Sequence, residues 1–249
     1  MKNNILEITN LSKTYHTKKG EIKALNNINI KVKDRDFISI VGPSGCGKST
    51  ILTILAGLLN KSSGNIKYKN NIKMGYMLQE DALFPWRTVL DNSCLGLEIE
   101  GKLSNKNKQK VINLLKKYGL NEFINSYPSS LSGGLKQRVA LIRTLAIEPD
   151  ILLLDEPFSA LDYQTRLALS DDLYKIIKSE NKTAIMVTHD IAEAISMSDK
   201  IIIMSKRPGT IKKEIEINLD NKSVPTENRK DKKFTEYYDK IWRMLDHHI

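Results

Sequence analysis

Two short stretches of this chain carry residue types, at spacings, suited to chemistry on a phosphate. The first is Gly42-Pro43-Ser44-Gly45-Cys46-Gly47-Lys48-Ser49-Thr50, glycines followed by a lysine and two hydroxyls. Glycines let successive backbone N–H groups turn toward one anion. A helix opening at Lys48 would add its free N–H groups and its positive dipole end. Lys48 would neutralise the β- and γ-phosphates of a nucleotide, and Ser49 would offer its hydroxyl to Mg²⁺. The spacing is that of a P-loop, and an apolar run at 36–41 precedes it while a helical pattern at 48–58 follows. Cys46 reads as a small residue of the loop. The second stretch is aliphatic through 151–154 and ends in Asp155-Glu156. An aspartate there can hold Mg²⁺, directly or through water, and the adjacent glutamate can orient or deprotonate an attacking water.

Elements must bring these stretches together. Ile28, Ile30 and Val32 alternate with polar neighbours, as in a half-buried strand, and further strands are expected at 72–78, 183–187 and 201–204. Residues 88–148 carry helix signals instead. Thr88 can cap one helix with Asp91, and Ser104 another that aligns Val111, Ile112, Leu115 and Tyr118 on one face and stops at Gly119-Leu120. A third runs from about 134 to 147, ended by Glu148-Pro149. Strands, a helical block, then alternating strands and helices imply an α/β core with a helical insertion. Phe234, Tyr237, Tyr238, Ile241, Trp242 and Leu245 share a last helical stripe, expected to pack back onto the domain.

Composition narrows the partners. The 249 residues are 41% hydrophobic and 27% charged, which excludes wholesale disorder. No run approaches the roughly 18 apolar residues that cross a bilayer, and the first ten residues lack the apolar core of a secretory signal. Two cysteines, Cys46 and Cys94, make no disulfide framework. The net charge of +10 keeps nucleic acid or anionic lipid in view. Yet the surplus sits in 1–35, 61–79, 101–120 and 200–249, whereas 80–100 and 151–199 are acidic, so it reads as a solvated surface.

Leu131-Ser132-Gly133-Gly134-Leu135-Lys136-Gln137-Arg138, ahead of Asp155, resembles the signature motif of ATP-binding cassette (ABC) ATPases. A serine and two glycines at a helix start make a second anion site. In a chain that already has a P-loop, this suggests ATP shared between two copies. The resemblance implies cassettes stacked head to tail, with Ser132, Gly133, Gly134 and the D-loop-like Ser159-Ala160-Leu161-Asp162 meeting the other copy's ATP. It also makes Gln79 a Q-loop residue touching Mg²⁺, His189 a switch histidine on the γ-phosphate and Tyr15 an aromatic stacked on adenine. Leu135 stands where the family often has glutamine, and Lys136 where arginine is common. The implied fold is a P-loop NTPase (RecA-like) α/β core with an N-terminal antiparallel β portion and an inserted helical subdomain. One domain, 1–249, would comprise a core of 1–87 and 149–217, a signature subdomain of 88–148 and a C-terminal helical tail of 218–249.

Glu80-Asp81-Ala82-Leu83-Phe84-Pro85-Trp86-Arg87-Thr88-Val89-Leu90-Asp91-Asn92 resembles ATPases of the nitrate, sulfonate and taurine importer group. The resemblance implies an ATP-hydrolysing importer subunit using ATP and Mg²⁺ at the cytoplasmic face of the cell membrane, taking up a small anion. Its partners would be a second copy, permease subunits around Phe84–Trp86 and, indirectly, an extracytoplasmic substrate-binding protein. Trp86 has a plainer alternative, packing of the helical insertion. The alternative function is a soluble ABC ATPase acting on nucleic acid or ribosomes. A single P-loop and a short helical block disfavour it, so no nucleic acid is expected. A P-loop kinase or GTPase is disfavoured by the second phosphate motif and His189.

Overall fold

A computed structural model describes residues 3–18, 20–69, 71–159 and 161–245. Ala160 of the D-loop-like segment and the end of the expected tail, 246–249, lie outside the described residues.

The chain begins with a long antiparallel pair, β1 (Asn4–Thr17) and β2 (Gly20–Lys33), in which Leu6, Ile8 and Leu11 face Val32, Ile30 and Ile28. The expected alternation at 28–32 is thus the inner edge of a longer strand. β3 (Phe37–Val41) is buried at every position and leads through the glycine-rich loop into α1 (Lys48–Leu55). This helix stops three residues short of the expected 58, because Gly57 takes a left-handed φ of 73° just beyond it. β4 (Ser63–Tyr68) returns to the free side of β1, giving a three-stranded sheet in the order β2-β1-β4. β5 (Met74–Met77) then enters the second sheet.

The helical block comprises α2 (Val89–Ile99), α3 (Asn105–Lys117) and α4 (Gly133–Ala146), capped by Thr88, Ser104 and Ser132. Val89, Leu97, Val111, Leu115, Val139 and Ile142 give it a core of its own. Strands and helices alternate from there: β6 (Ile151–Asp155), α5 (Tyr163–Ser179), β7 (Thr183–Val187), α6 (Ile191–Met197) and β8 (Lys200–Met204). β9 (Ile211–Glu216), the short α7 (Pro225–Asn228) and α8 (Lys232–Leu245) complete the chain.

The second sheet runs β5-β6-β7-β3-β8-β9, parallel except for β9. Being covered on both faces, β3, β6 and β7 are buried throughout and largely apolar, broken inside only by Ser39 of β3. Alternate residues divide between the faces. Ile38, Leu153 and Ile185 pack toward the antiparallel sheet and α1, and Leu152, Leu154 and Met186 toward α5. Ile241 of α8 is fully buried beside Ile195, Ile201 and Ile215, so the last stripe does dock, while Trp242 stays half exposed. Register aligns the strand ends: Met77 lies opposite Leu154, and Asp155 and Ile40 both lie opposite Val187. The loops leaving these carboxyl ends therefore gather along one edge, where ligands of such sheets bind.

Candidate nucleotide site

The P-loop is shaped by two left-handed glycines, Gly45 (φ 71°) and Gly47 (φ 102°). A Cβ on Gly47 would also lie 2.6 Å from Leu25 Cδ2, so glycine is needed twice over at that position. Gly47 is the N-cap of α1 and offers no side chain to it, which leaves the first-turn N–H groups available to an anion. Lys48 is buried and its Nζ donates to the carbonyls of Gly42 (2.8 Å) and Pro43 (3.1 Å), which centres the ammonium over the loop. Cys46 turns inward, 1% exposed, and burial pushes its thiol pKa up. Gly42 fits beneath it, since a Cβ there would stand 2.9 Å from Cys46 Sγ.

Ser49 Oγ donates to Asp155 Oδ1 at 2.9 Å, joining the helix start to the end of β6. Tyr76 of β5 donates to the other oxygen, Oδ2, at 3.0 Å. The phenol is pushed up to about 12, by burial first and then by the neighbouring Asp155 charge, so it stays a donor. Among the described residues no three His, Cys, Asp or Glu side chains cluster as a metal cage. A hydroxyl and a carboxylate at hydrogen-bond distance beside a phosphate cradle instead suit Mg²⁺, which prefers few protein oxygens together with phosphate and water.

Glu156 follows with φ 45°, an uncommon conformation for a non-glycine residue, held by its N–H bond to Val187 O at 2.9 Å. That turn aims its carboxylate at the loop after β7. Glu156 Oε2 lies 3.1 Å from His189 Nδ1 and 3.5 Å from Gln79 Nε2, and Gln79 also donates to Ser159 Oγ at 3.3 Å. Behind His189, Thr188 Oγ1 donates to Glu193 Oε2 at 2.8 Å, and Arg166 of α5 lies 3.5 Å from Asp190. Burial raises the Glu193 pKa to about 7, with the Asp190 charge adding to it.

A cavity of about 490 Å³ opens at this edge, with Ser44, Lys48, Ser49 and Thr50 on one wall and Glu156 and His189 on another. Tyr15, Ile22 and Ala24 close its third side. Tyr15 OH lies 3.3 Å from Thr50 Oγ1, and Lys13 Nζ stands 5.1 Å from its ring centre. Arg207, from the β8–β9 loop, completes the lining. A larger cavity of about 710 Å³ lies at the opposite edge of the sheet, where Asp199 is paired with Lys178 and Lys222. No predicted site residue lines it.

Four predicted residues stand apart from the P-loop cavity. Ser132 caps α4, its Oγ accepting from Leu135 N at 3.4 Å, and Asp162 caps α5, accepting from Thr165 N at 3.0 Å. The bonds from Thr165 hold the Asp162 carboxyl below its usual range. The two helix starts are pressed together, for a Cβ on Gly134 would lie 2.6 Å from Thr165 Cγ2 and one on Gly133 3.4 Å from Leu161 Cδ2. Neither Ser132, Gly133, Gly134 nor Asp162 lines the P-loop cavity.

The segment after Gln79 is latched to the helical block. Gln137 donates to Gln79 O at 3.3 Å, and Arg143 donates to the carbonyls of Asp81 and Ala82, each at 2.7 Å. Fully buried Asn92 donates to the carbonyls of Phe84, Arg87 and Thr88 and accepts from Phe84 N. Trp86 does not pack the helical insertion: it is 71% exposed and stacked on Phe84 with ring centres 5.1 Å apart. Arg87 pairs with Glu98. Sequence reasoning missed Tyr76, Asn92, Arg143 and Arg207. Of these only Tyr76, three residues before Gln79 on an expected strand, had a position that pointed to the site.

Comparison with known proteins gives this edge its context. The family described as ABC transporter matches residues 25–159. The aliphatic sulfonates import ATP-binding protein SsuB of Bacillus anthracis is 42% identical, over 97% of this chain and 96% of its own. The nitrate import ATP-binding protein NrtD of Synechocystis sp. is 38% identical, over 96% and 94%. Among solved structures, the dimeric post-hydrolysis state of the ATP-binding cassette MJ0796 bound to ADP and Pi superposes with a TM-score of 0.74 and 35% identity, over 86% of this chain and 99% of that one. The fold is that of an ABC ATPase cassette, and the chain belongs to the ABC transporter family.

Proposed function

We propose that this ATPase is the cytoplasmic, membrane-peripheral subunit of an importer, with each ATP held between two copies. The observation that carries the reading is the Glu156 carboxylate, met by His189 and Gln79 one residue beyond the Ser49–Asp155 pair. The P-loop amides and Lys48 would bind the β- and γ-phosphates, and Tyr15 would lie against the base. Mg²⁺ would be held by Ser49, with Asp155 and Gln79 close by, and would supply charge neutralisation on the phosphates. Glu156 would orient the attacking water and take its proton, and His189 would steady that carboxylate and the γ-phosphate. Ser132, Gly133, Gly134 and Asp162 would close over the other copy's nucleotide.

Names of the relatives support import of a small anion of the nitrate or sulfonate kind, and taurine falls within the same group. Exposed Trp86, stacked on the half-buried Phe84 of a segment braced by Asn92, offers a rigid apolar surface to permease subunits. A substrate-binding protein outside the membrane would deliver the cargo. Neither the relatives nor the fold supports the nucleic-acid alternative. Among the described residues no helix is long and apolar enough to cross a membrane.

Glu156→Gln should keep ATP binding while turnover falls at least about 100-fold. Normal turnover would remove Glu156 as base. Trp86→Ala should weaken co-purification with the permease and coupled uptake but not ATP binding. Unchanged assembly would end the docking assignment. Ligand identification on the cognate binding protein tests the cargo class.

A further inference from the structure

We propose that Arg207 is a phosphate-contacting residue of the nucleotide site, an extension that rests on the P-loop reading. Among the described residues lining the cavity, the standing cations are Lys48 and Arg207. Lys48 is engaged by two loop carbonyls, and a triphosphate brings more negative charge than one lysine balances. A guanidinium fork matches a pair of phosphate oxygens better than any other side chain.

The loop that carries Arg207 is fixed at both ends. Ser205 N donates to Thr210 O at 2.9 Å, and Thr210 N returns a bond to Ser205 Oγ at 2.8 Å, closing 205–210 into a compact turn. Gly209 N donates to Ala24 O at 2.8 Å and Asn26 N to Gly209 O at 2.9 Å, tying the turn to β2 on the cavity wall. A Cβ on Gly209 would lie 2.1 Å from the carbonyl oxygen of Cys46, so glycine alone lets this turn press against the P-loop backbone. Arg207 sits two residues before that contact, its side chain exposed at the mouth. A fixed turn with an exposed cation loses little freedom when a phosphate arrives.

The test is binding of Mg-ATP and Mg-ADP to the full chain by calorimetry, with adenosine as competitor. Arg207→Ala should weaken both nucleotides about tenfold and leave adenosine unchanged, and Arg207→Lys should recover part of the loss. Wild-type ATP affinity in Arg207→Ala, or an equal loss for adenosine, would overturn the proposal. Lys48→Ala separates the two levels: if it too binds ATP normally, the P-loop reading fails. If it loses binding while Arg207→Ala does not, only Arg207 is misassigned.

Discussion

At the carboxyl edge of the parallel sheet, Ser49, Tyr76, Gln79, Asp155, Glu156 and His189 arrive from separate segments and bond to one another. At the paired starts of α4 and α5, Ser132, Gly133, Gly134 and Asp162 are equally well placed as caps, yet they line no wall of that cavity. The first region joins a glycine-rich loop, a buried lysine, a metal-suited oxygen pair and the Glu156 carboxylate. The second presents helix amides and a serine hydroxyl on one open side. A phosphate would be surrounded in the first and merely faced by the second. This difference teaches what the proposed sharing of ATP requires of each: the first would bind a nucleotide alone, and the second would complete a site begun on another copy.

The contrast can be broken by substitution. Lys48→Ala should abolish measurable ATP binding and turnover together. Ser132→Arg should leave ATP affinity of the single chain within about twofold but lower turnover about 100-fold, because only the closed pair would use that surface. Both are read by equilibrium binding beside a phosphate-release assay. Loss of ATP binding in Ser132→Arg would place both regions in one site. Mixing the two inactive variants sharpens the point, since a mixed pair would retain one intact P-loop facing one intact Ser132. Activity should return on mixing; a mixture as inactive as its parts would refute sharing between copies.

Smaller effects probe the supports of each region. Gly134→Val should cost about 1–3 kcal/mol in urea unfolding, because its side chain must displace Thr165 where α4 meets α5. An unchanged midpoint would show the contact to be slack. Behind His189, protonation of Glu193 is favoured by the fold, its pKa rising from 4.5 to about 7. The folded state thus holds more protons than the unfolded chain between those values. Its contribution to stability is full below about 4.5 and is lost as pH climbs through about 7. Glu193→Gln should flatten that part of the stability curve, followed as melting temperature from pH 5 to 8. An identical slope in the variant would mean Glu193 titrates normally.

Legibility followed sequence distance. The cradle at 42–50 could be read because its chemistry is local: glycines, lysine and hydroxyls occupy one loop and one helix start. The caps Thr88 and Ser104 are equally readable, each bonding to an amide three residues on, whereas Ser132, expected as part of an anion site, also proves to cap its helix. The apolar pattern continues to Leu58, yet the helix ends at Leu55, and Leu58 is 68% exposed after the Gly57 turn. Tyr76 meets Asp155 across 79 residues, and Arg143 reaches Asp81 across 62. No local pattern announces such bonds, which depend on strand order and on how α4 lies over the loop after β5.

The sequence by itself determined the class of chemistry, the helix starts and the division between an α/β core and a helical block, because glycine spacing, caps and apolar periodicity are properties of neighbouring residues. Tertiary structure alone decided which strand ends share an edge, since the order β5-β6-β7-β3-β8-β9 is set by packing of whole elements. It also decided that the Glu156 backbone turns toward His189, that Trp86 faces outward and that a turn pressed to the P-loop at Gly209 carries Arg207 to the cavity. Those outcomes depend on contacts between segments far apart in the chain, and so they exist only once it has folded.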